Sequence, residues 1–257
     1  MITATGGFTA TGSSTPGREP ALTGQTLVLI GGSSGIGLAT ARRARAEGAD
    51  VVLTGRDPQR LERAAADVGA RGHAAFDATD PGRLEAFFEA LPAPVDHVMV
   101  SAGSPHYGPL AELDVAAAAR HVADHLGLVL GVARRSIGTV RPGGTLLFMG
   151  GTGARRPAIG IGVTAALTAA LPALVANLAL ELAPVRANVI AAGFVDTPLS
   201  AALLGDALDE RRQQLRATLP IRRVVGPDDV AALAVHLMAN TALTGATFDV
   251  DGGQQLT

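Results

Sequence analysis

Residues 30 to 37 read Ile-Gly-Gly-Ser-Ser-Gly-Ile-Gly and follow directly on the apolar run Thr26-Leu27-Val28-Leu29. An apolar strand, a glycine turn and a helix in that order restrict the chain to a βα unit with a tight corner. Gly31 lets the chain reverse without a Cβ clash, Gly35 lets a pyrophosphate approach the backbone, and Gly37 lets the helix pack close to the sheet. The helix then presents free N–H groups and the positive end of its dipole to an anion. The segment predicts a dinucleotide site whose candidate residues are Gly31, Ser33, Ser34, Gly35, Ile36 and Gly37. A tight βα turn without a ligand is the competing reading.

The pattern beyond the turn alternates. Strands are expected at 26–31, 50–54, 73–76, 95–101, 144–150, 186–192 and 246–250, and helices near 35–47, 58–68, 81–90, 112–136, 162–183, 199–216 and 227–239. Asp96-His97-Val98-Met99-Val100 and Thr145-Leu146-Leu147-Phe148-Met149 are nearly continuous apolar runs, as strands buried on both faces should be. Strands alternating with helices predict an α/β fold, a doubly wound parallel sheet with helices on both faces. Ligands in such sheets sit at the carboxyl ends of the strands. Residues 1–21 are rich in Thr, Gly, Ser and Pro and read as an N-terminal extension, leaving 22–257 as one domain.

Composition narrows the chemistry. With 257 residues, 47% of them apolar, the chain can bury a large core. A formal charge of −2 gives no electrostatic case for nucleic acid or an anionic membrane. The absence of cysteine removes disulfide, thiol and cysteine–metal chemistry, and no metal site is expected. No uninterrupted apolar stretch of about 18 residues is read as a membrane span, and no secretory signal is read at the N-terminus, so a cytoplasmic protein is expected. All 21 basic residues are arginine, and Tyr107 is the single tyrosine.

The spacing Gly-x-x-x-Gly-x-Gly resembles the short-chain dehydrogenase/reductase family, whose pattern opens on Thr where this chain has Ile30. The resemblance runs over roughly residues 22 to 257 and implies a Rossmann-type, three-layer fold around a seven-stranded parallel sheet. At the end of the second strand Gly55 leaves empty the place of a carboxylate that would bond a ribose 2′-hydroxyl, and Arg56 follows. A guanidinium there pairs with a 2′-phosphate, so the expected cofactor is NADP(H) rather than NAD(H). Arg60 and Arg63 add positive charge along the next helix. Asp77, with Ala78, stands where the family bonds the adenine amino group; bracing the turn before Asp80-Pro81 is its competing role. Ser101-Ala102-Gly103 corresponds to a segment that lines the adenine ribose. Gly193, Val195 and Thr197 lie in a segment similar to Pro-Gly-x-Val-x-Thr-Pro, which implies a hold on the nicotinamide carboxamide.

The catalytic side departs from the family. There a tyrosine donates a proton to the carbonyl, a lysine one turn on lowers its pKa, a serine orients the substrate and an asparagine supports a water relay. Alignment through Leu178 to Pro184 puts Thr164, Thr168, Gly151 and His125 at those positions, and no lysine exists elsewhere in the chain. An aliphatic hydroxyl, with a pKa near the ~15.7 of water, is no substitute for a phenol as acid. The remaining catalytic candidates are His125, Thr152, Thr164 and Thr168, with Tyr107 and His106 at the site edge and Arg155 and Arg156 in the loop above it. Pro172 cannot donate to the Thr168 carbonyl, which predicts a kink in that helix.

Together these residues imply an NADP(H)-dependent oxidoreductase reducing a carbonyl or related group of a small molecule with an atypical active site. A cofactor-binding regulatory partner without turnover and a non-redox lyase or cyclase stay open as alternatives. The small-residue helices 112–136 and 162–183 resemble the family's dimer faces, so a homodimer or homotetramer is expected.

Overall fold

A computed structural model describes residues 21–257. The extension expected over 1–21 lies, apart from Ala21, outside the described residues. The strands are β1 (Thr26–Ile30), β2 (Asp50–Gly55), β3 (Gly72–Ala75), β4 (Val95–Val100), β5 (Val140–Gly151), β6 (Arg186–Ala192) and β7 (Thr247–Val250). The helices are α1 (Gly35–Ala46), α2 (Pro58–Val68), α3 (Pro81–Ala90), α4 (Val115–Ser136), α5 (Gly162–Glu181), α6 (Pro198–Leu204), α7 (Leu208–Thr218) and α8 (Pro227–Ala239). Every strand pairing is parallel, in the order β3-β2-β1-β4-β5-β6-β7. Chain order reverses between β1 and β4, which opens a crevice at their carboxyl ends.

The two-residue period of the strands divides the core between two layers. Val28, Ile30, Val98, Val100, Leu146 and Phe148 face α3, α4 and α5. Leu27, Leu29, Val51, Leu53, Met99 and Leu147 face α1, α2 and α8. On α1 the buried positions are Gly37, Ala39, Thr40, Ala41 and Ala44, small enough to let that helix lie close to the sheet and to α8.

Two expectations are corrected. The single helix read over 199–216 is two helices, α6 and α7, separated by a 3₁₀ turn at Gly205–Ala207, where Gly205 takes a φ of +51°. The helix read over 162–183 is α5, which runs through Pro172 to Glu181. The statement that no segment reaches the length and apolarity of a membrane span fails for α4 and α5, with mean hydropathies of 1.2 and 1.9 over their most apolar stretches. Part of each helix packs the core, with Leu128 and Val132, and Leu171, Val175 and Leu178, buried against the sheet, while most of each apolar stretch is not buried.

Two buried polar residues hold the sheet to its surroundings. The Arg186 guanidinium reaches the carboxyl end of α8, where Nη1 donates to the carbonyls of Leu237, Asn240 and Leu243 and Nη2 to that of Met238, at 2.8–3.1 Å. It satisfies carbonyls that a helix end otherwise leaves unpaired. His97 is buried in β4, with Nε2 2.6 Å from the Gln25 side-chain oxygen and Nδ1 without a partner among the described residues. Burial, with the charges of Arg186 and Arg141, pushes its pKa down to about 3.

Arg186→Met should lower stability by about 3 kcal/mol, measured by urea denaturation, because several buried carbonyls lose a charged donor. His97 carries a pH signature. Because its folded pKa lies below the unfolded 6.5, the unfolded chain binds a proton that the fold refuses, and stability falls as the pH drops from about 6.5 toward 3. One such group contributes a slope of up to about 1.4 kcal/mol per pH unit. Urea melts at pH 7, 6 and 5 should show the decline, and His97→Gln should flatten it.

Candidate functional site

The glycine turn packs against the end of β4 with almost no free space. A Cβ on Gly37 would lie 2.2 Å from the Gly31 carbonyl oxygen and 2.6 Å from Ser101 Oγ. A Cβ on Gly31, where φ is +100°, would lie 2.6 Å from the Ala102 nitrogen. Ser101 Oγ donates to the Gly31 carbonyl at 3.0 Å, and the Gly31 and Gly32 N–H groups bond the Thr54 hydroxyl and carbonyl. The turn is therefore tied to both neighbouring strands. At the start of α1 Ser34 is extended and its side chain makes no capping bond, and the first N–H returned to its carbonyl is that of Leu38. The N–H groups of Gly35, Ile36 and Gly37 thus have no partner within the helix. A cradle that a Cβ would fill, beneath an uncapped helix N-terminus, fits the pyrophosphate of a dinucleotide.

At the end of β2, a Cβ on Gly55 would meet Ser33 Oγ at 2.9 Å, so the two crowd the same corner. Arg56 is exposed beside them. Asp57, the carboxylate nearest in sequence, caps α2 by accepting from the Arg60 N–H. Asp77 Oδ1 accepts from the Thr79 N–H and hydroxyl, the turn-bracing geometry, and these bonds, with the charge of Arg56, hold its carboxyl below the usual range. Buried Ala78 follows it under the same corner.

Toward the sheet's other half the crevice widens into a cavity of about 780 Å³. Ile36, Ala102, Gly103, Gly193 and Val195 all reach its wall, as does Thr197, whose methyl carbon comes within 3.5 Å of an ideal Cβ on Gly35. The Thr197 hydroxyl is engaged in capping α6, where it accepts from the Ser200 N–H.

All four catalytic candidates line this cavity, but their hydroxyls are not equally free. Thr164 Oγ1 accepts from the His106 N–H at 3.0 Å and donates to the His106 carbonyl at 2.9 Å. Thr168 Oγ1 accepts from the Ala154 N–H and donates to the Ala165 carbonyl, both at 3.0 Å. Both threonines fasten loops to α5 and keep no hydrogen to give. Thr152 is buried and its hydroxyl has no partner among the described residues. His125 stands next to Gly103, and burial, with the charge of His121, pulls its pKa below the ordinary value, so its ring is neutral at pH 7. Tyr107 lines the cavity on the loop that Thr164 fastens, and partial desolvation holds its phenol above the usual tyrosine range.

The two loop arginines part ways. Arg155 is absent from the cavity wall and makes a forked pair with Asp249, both contacts at 2.6 Å. Arg156 faces the cavity. Sequence reasoning missed Phe194, Arg211, Gln214 and Gln254, which also line it. They come from the β6–α6 loop, α7 and the C-terminal turn, and no local spacing signalled their convergence.

Gly37→Ala should be severely destabilising, by about 3 kcal/mol or more, because its methyl group meets backbone rather than a yielding side chain. Thermal unfolding of the variant, with Ala39→Gly as a control on the same helix, measures it.

A family model described as enoyl-(acyl carrier protein) reductase matches residues 30–255. The short-chain dehydrogenase/reductase ATR9 of Stachybotrys chlorohalonatus is 30% identical, covering 91% of this chain and 98% of that protein. The crystal structure of a glucose/ribitol-type short-chain dehydrogenase/reductase from Brucella melitensis superimposes with a TM-score of 0.84 at 28% identity, over 92% of this chain and 98% of the other. BdcA, solved in complex with NADPH, superimposes with a TM-score of 0.81 at 27% identity, over 91% and 95% of the two chains. With the glycine turn, the seven-stranded parallel sheet and the cleft at its switch point, these likenesses establish that the chain belongs to the short-chain dehydrogenase/reductase family and is an oxidoreductase of that type.

Proposed function

We propose that the protein is an NADP(H)-dependent oxidoreductase that reduces a carbonyl or related group of a small molecule without the family's tyrosine–lysine pair. The observation that carries the reading is the intact cradle at Gly31–Gly37 leading into a cavity whose wall holds Thr152, His125 and Tyr107. Gly55 and Arg56 at the end of β2 offer a guanidinium and no carboxylate, which suits a 2′-phosphate. Solved relatives that carry NADPH lend support. The bound cofactor would supply the hydride. Ser101, Ala102 and Gly103 shape its floor, and Val195 and Thr197 flank the glycine turn.

The chain's own residues then divide the remaining work. Thr152, with a free hydroxyl, orients the substrate oxygen. Thr164 and Thr168 are positioning residues that hold the loops at His106 and Ala154. Neutral His125 gives a hydrogen-bonding wall, and Tyr107, protonated at every physiological pH, gives the proton. Its raised pKa makes it a weaker acid than a lysine-assisted tyrosine, so positioning, worth up to ~7–11 kcal/mol of barrier, carries more of the rate.

The same protein should self-associate. Ala166, Ala169, Ala170, Ala173 and Leu180 form an exposed apolar face on α5, and Ala119, Ala123, Gly127 and Leu130 do so on α4. Flat faces of small residues allow helices of two copies to meet closely.

NADPH should bind more tightly than NADH in calorimetric titration, and Arg56→Ala should cost NADPH about tenfold while leaving NADH unchanged. Oxidation of NADPH should follow addition of ketones, imines or enones; binding without turnover across that panel overturns the oxidoreductase reading in favour of a regulatory partner. Tyr107→Phe should lower kcat about 100-fold with little change in KM. Light scattering should give a dimer or tetramer for the wild type and a smaller species for Ala170→Arg.

A further inference from the structure

Two neighbouring pairs of arginines are split in the same way. Arg155 is neutralised by Asp249, and Arg212 makes a forked contact with Asp196 at 2.9 Å and a further one with Asp209. Their chain neighbours Arg156 and Arg211 have no carboxylate within 4.0 Å among the described residues, and both face the cavity. Each is nonetheless held in place. Arg156 Nη1 donates to the Gln254 carbonyl at 3.0 Å. Arg211 Nη1 donates to Gln214 Oε1 at 2.6 Å, and its guanidinium lies 5.9 Å from the centre of the Phe194 ring. Burial and the positive charge of Arg156 both push the Arg211 pKa below its ordinary value.

No Asp or Glu lines the cavity. Arg156 is exposed and Arg211 half-buried, neither has a carboxylate partner, and the charge of Arg156 acts against that of Arg211, a repulsion that an anion entering between them relieves. The forked donors of arginine match a carboxylate geometrically. The neighbouring wall is apolar, with Leu199, Leu203 and Leu204 from α6 and Leu215 from α7. The cofactor's phosphates are an unsuitable counter-ion, because the cradle and Arg56 stand at the ends of β1 and β2, whereas Arg156, Phe194 and Gln254 stand beyond β5 and β6.

We infer that the substrate is an amphipathic carboxylate, its anionic group gripped between Arg156 and Arg211 and its apolar body lying against the leucines of α6 and α7. This deepens the oxidoreductase reading and rests on it for the fate of the bound molecule, but the recognition is testable without turnover.

Octanoate and its neutral counterpart octanamide are the probes, titrated by calorimetry into the full-length protein with and without saturating NADPH. Octanoate should bind at least about tenfold more tightly than octanamide. The Arg156→Gln/Arg211→Gln double variant should bind the two alike, with the octanamide Kd and the NADPH Kd within about twofold of wild type. The Arg156→Lys/Arg211→Lys variant should keep part of the preference. Equal binding of the probes by the wild type, no octanoate binding at millimolar concentration, or a preference that survives in a folded double Gln variant overturns the inference. Should the double Gln variant fail to fold, the wild-type and Lys comparisons decide. Failure of NADPH to bind refutes the oxidoreductase reading instead, and the octanoate preference is then read on the cofactor-free protein.

Discussion

Gly31, Gly37 and Ser101 meet at the crossing of β1, α1 and β4 with no room for a single added methyl group, and the shape of the cleft follows from that contact. Because α1 can sit this close, its uncapped N-terminus is aimed into the space that opens where strand order reverses. A larger residue at either glycine would push the helix outward and turn its N–H groups away. The serine takes part by fastening the end of β4 to the turn.

The same side-chain types do opposite work on the two sides of this cleft. The Thr164 and Thr168 hydroxyls on α5, read from the sequence as catalytic candidates, bond the backbone of His106, Ala154 and Ala165. Both hydroxyls fasten loops to the helix. Arginines, the chain's only cations apart from histidine, are mostly neutralised by aspartates at the surface or by carbonyls in the interior, as Arg186 is. Several others have no carboxylate partner, but of these only Arg156 and Arg211 line the cavity, one exposed and the other half-buried, and that shared placement makes them informative.

Much of the fold was legible in the chain because it rests on local periodicity. Apolar runs marked β4 and β5, the Asp80-Pro81 pair marked the start of α3, and glycine spacing marked the turn before α1. The break between α6 and α7 was not legible, since Gly205 within a Leu- and Ala-rich segment reads as a tolerated helical glycine until its φ is known. The membrane-like apolarity of α4 and α5 was underestimated for a related reason: local composition does not say which face a helix turns to the sheet.

The sequence by itself determined the family, the alternating architecture, the glycine turn and the absence of lysine, because each depends on residue identity or short spacing. It also named Arg155 and Arg156 as equals. Only the tertiary structure separated them, by bringing Asp249 to one and Arg211 to the other across 94 and 55 residues of chain. Whether a hydroxyl, an imidazole or a guanidinium is available to a ligand depends on what else lies within hydrogen-bond reach, and that is decided by long-range packing.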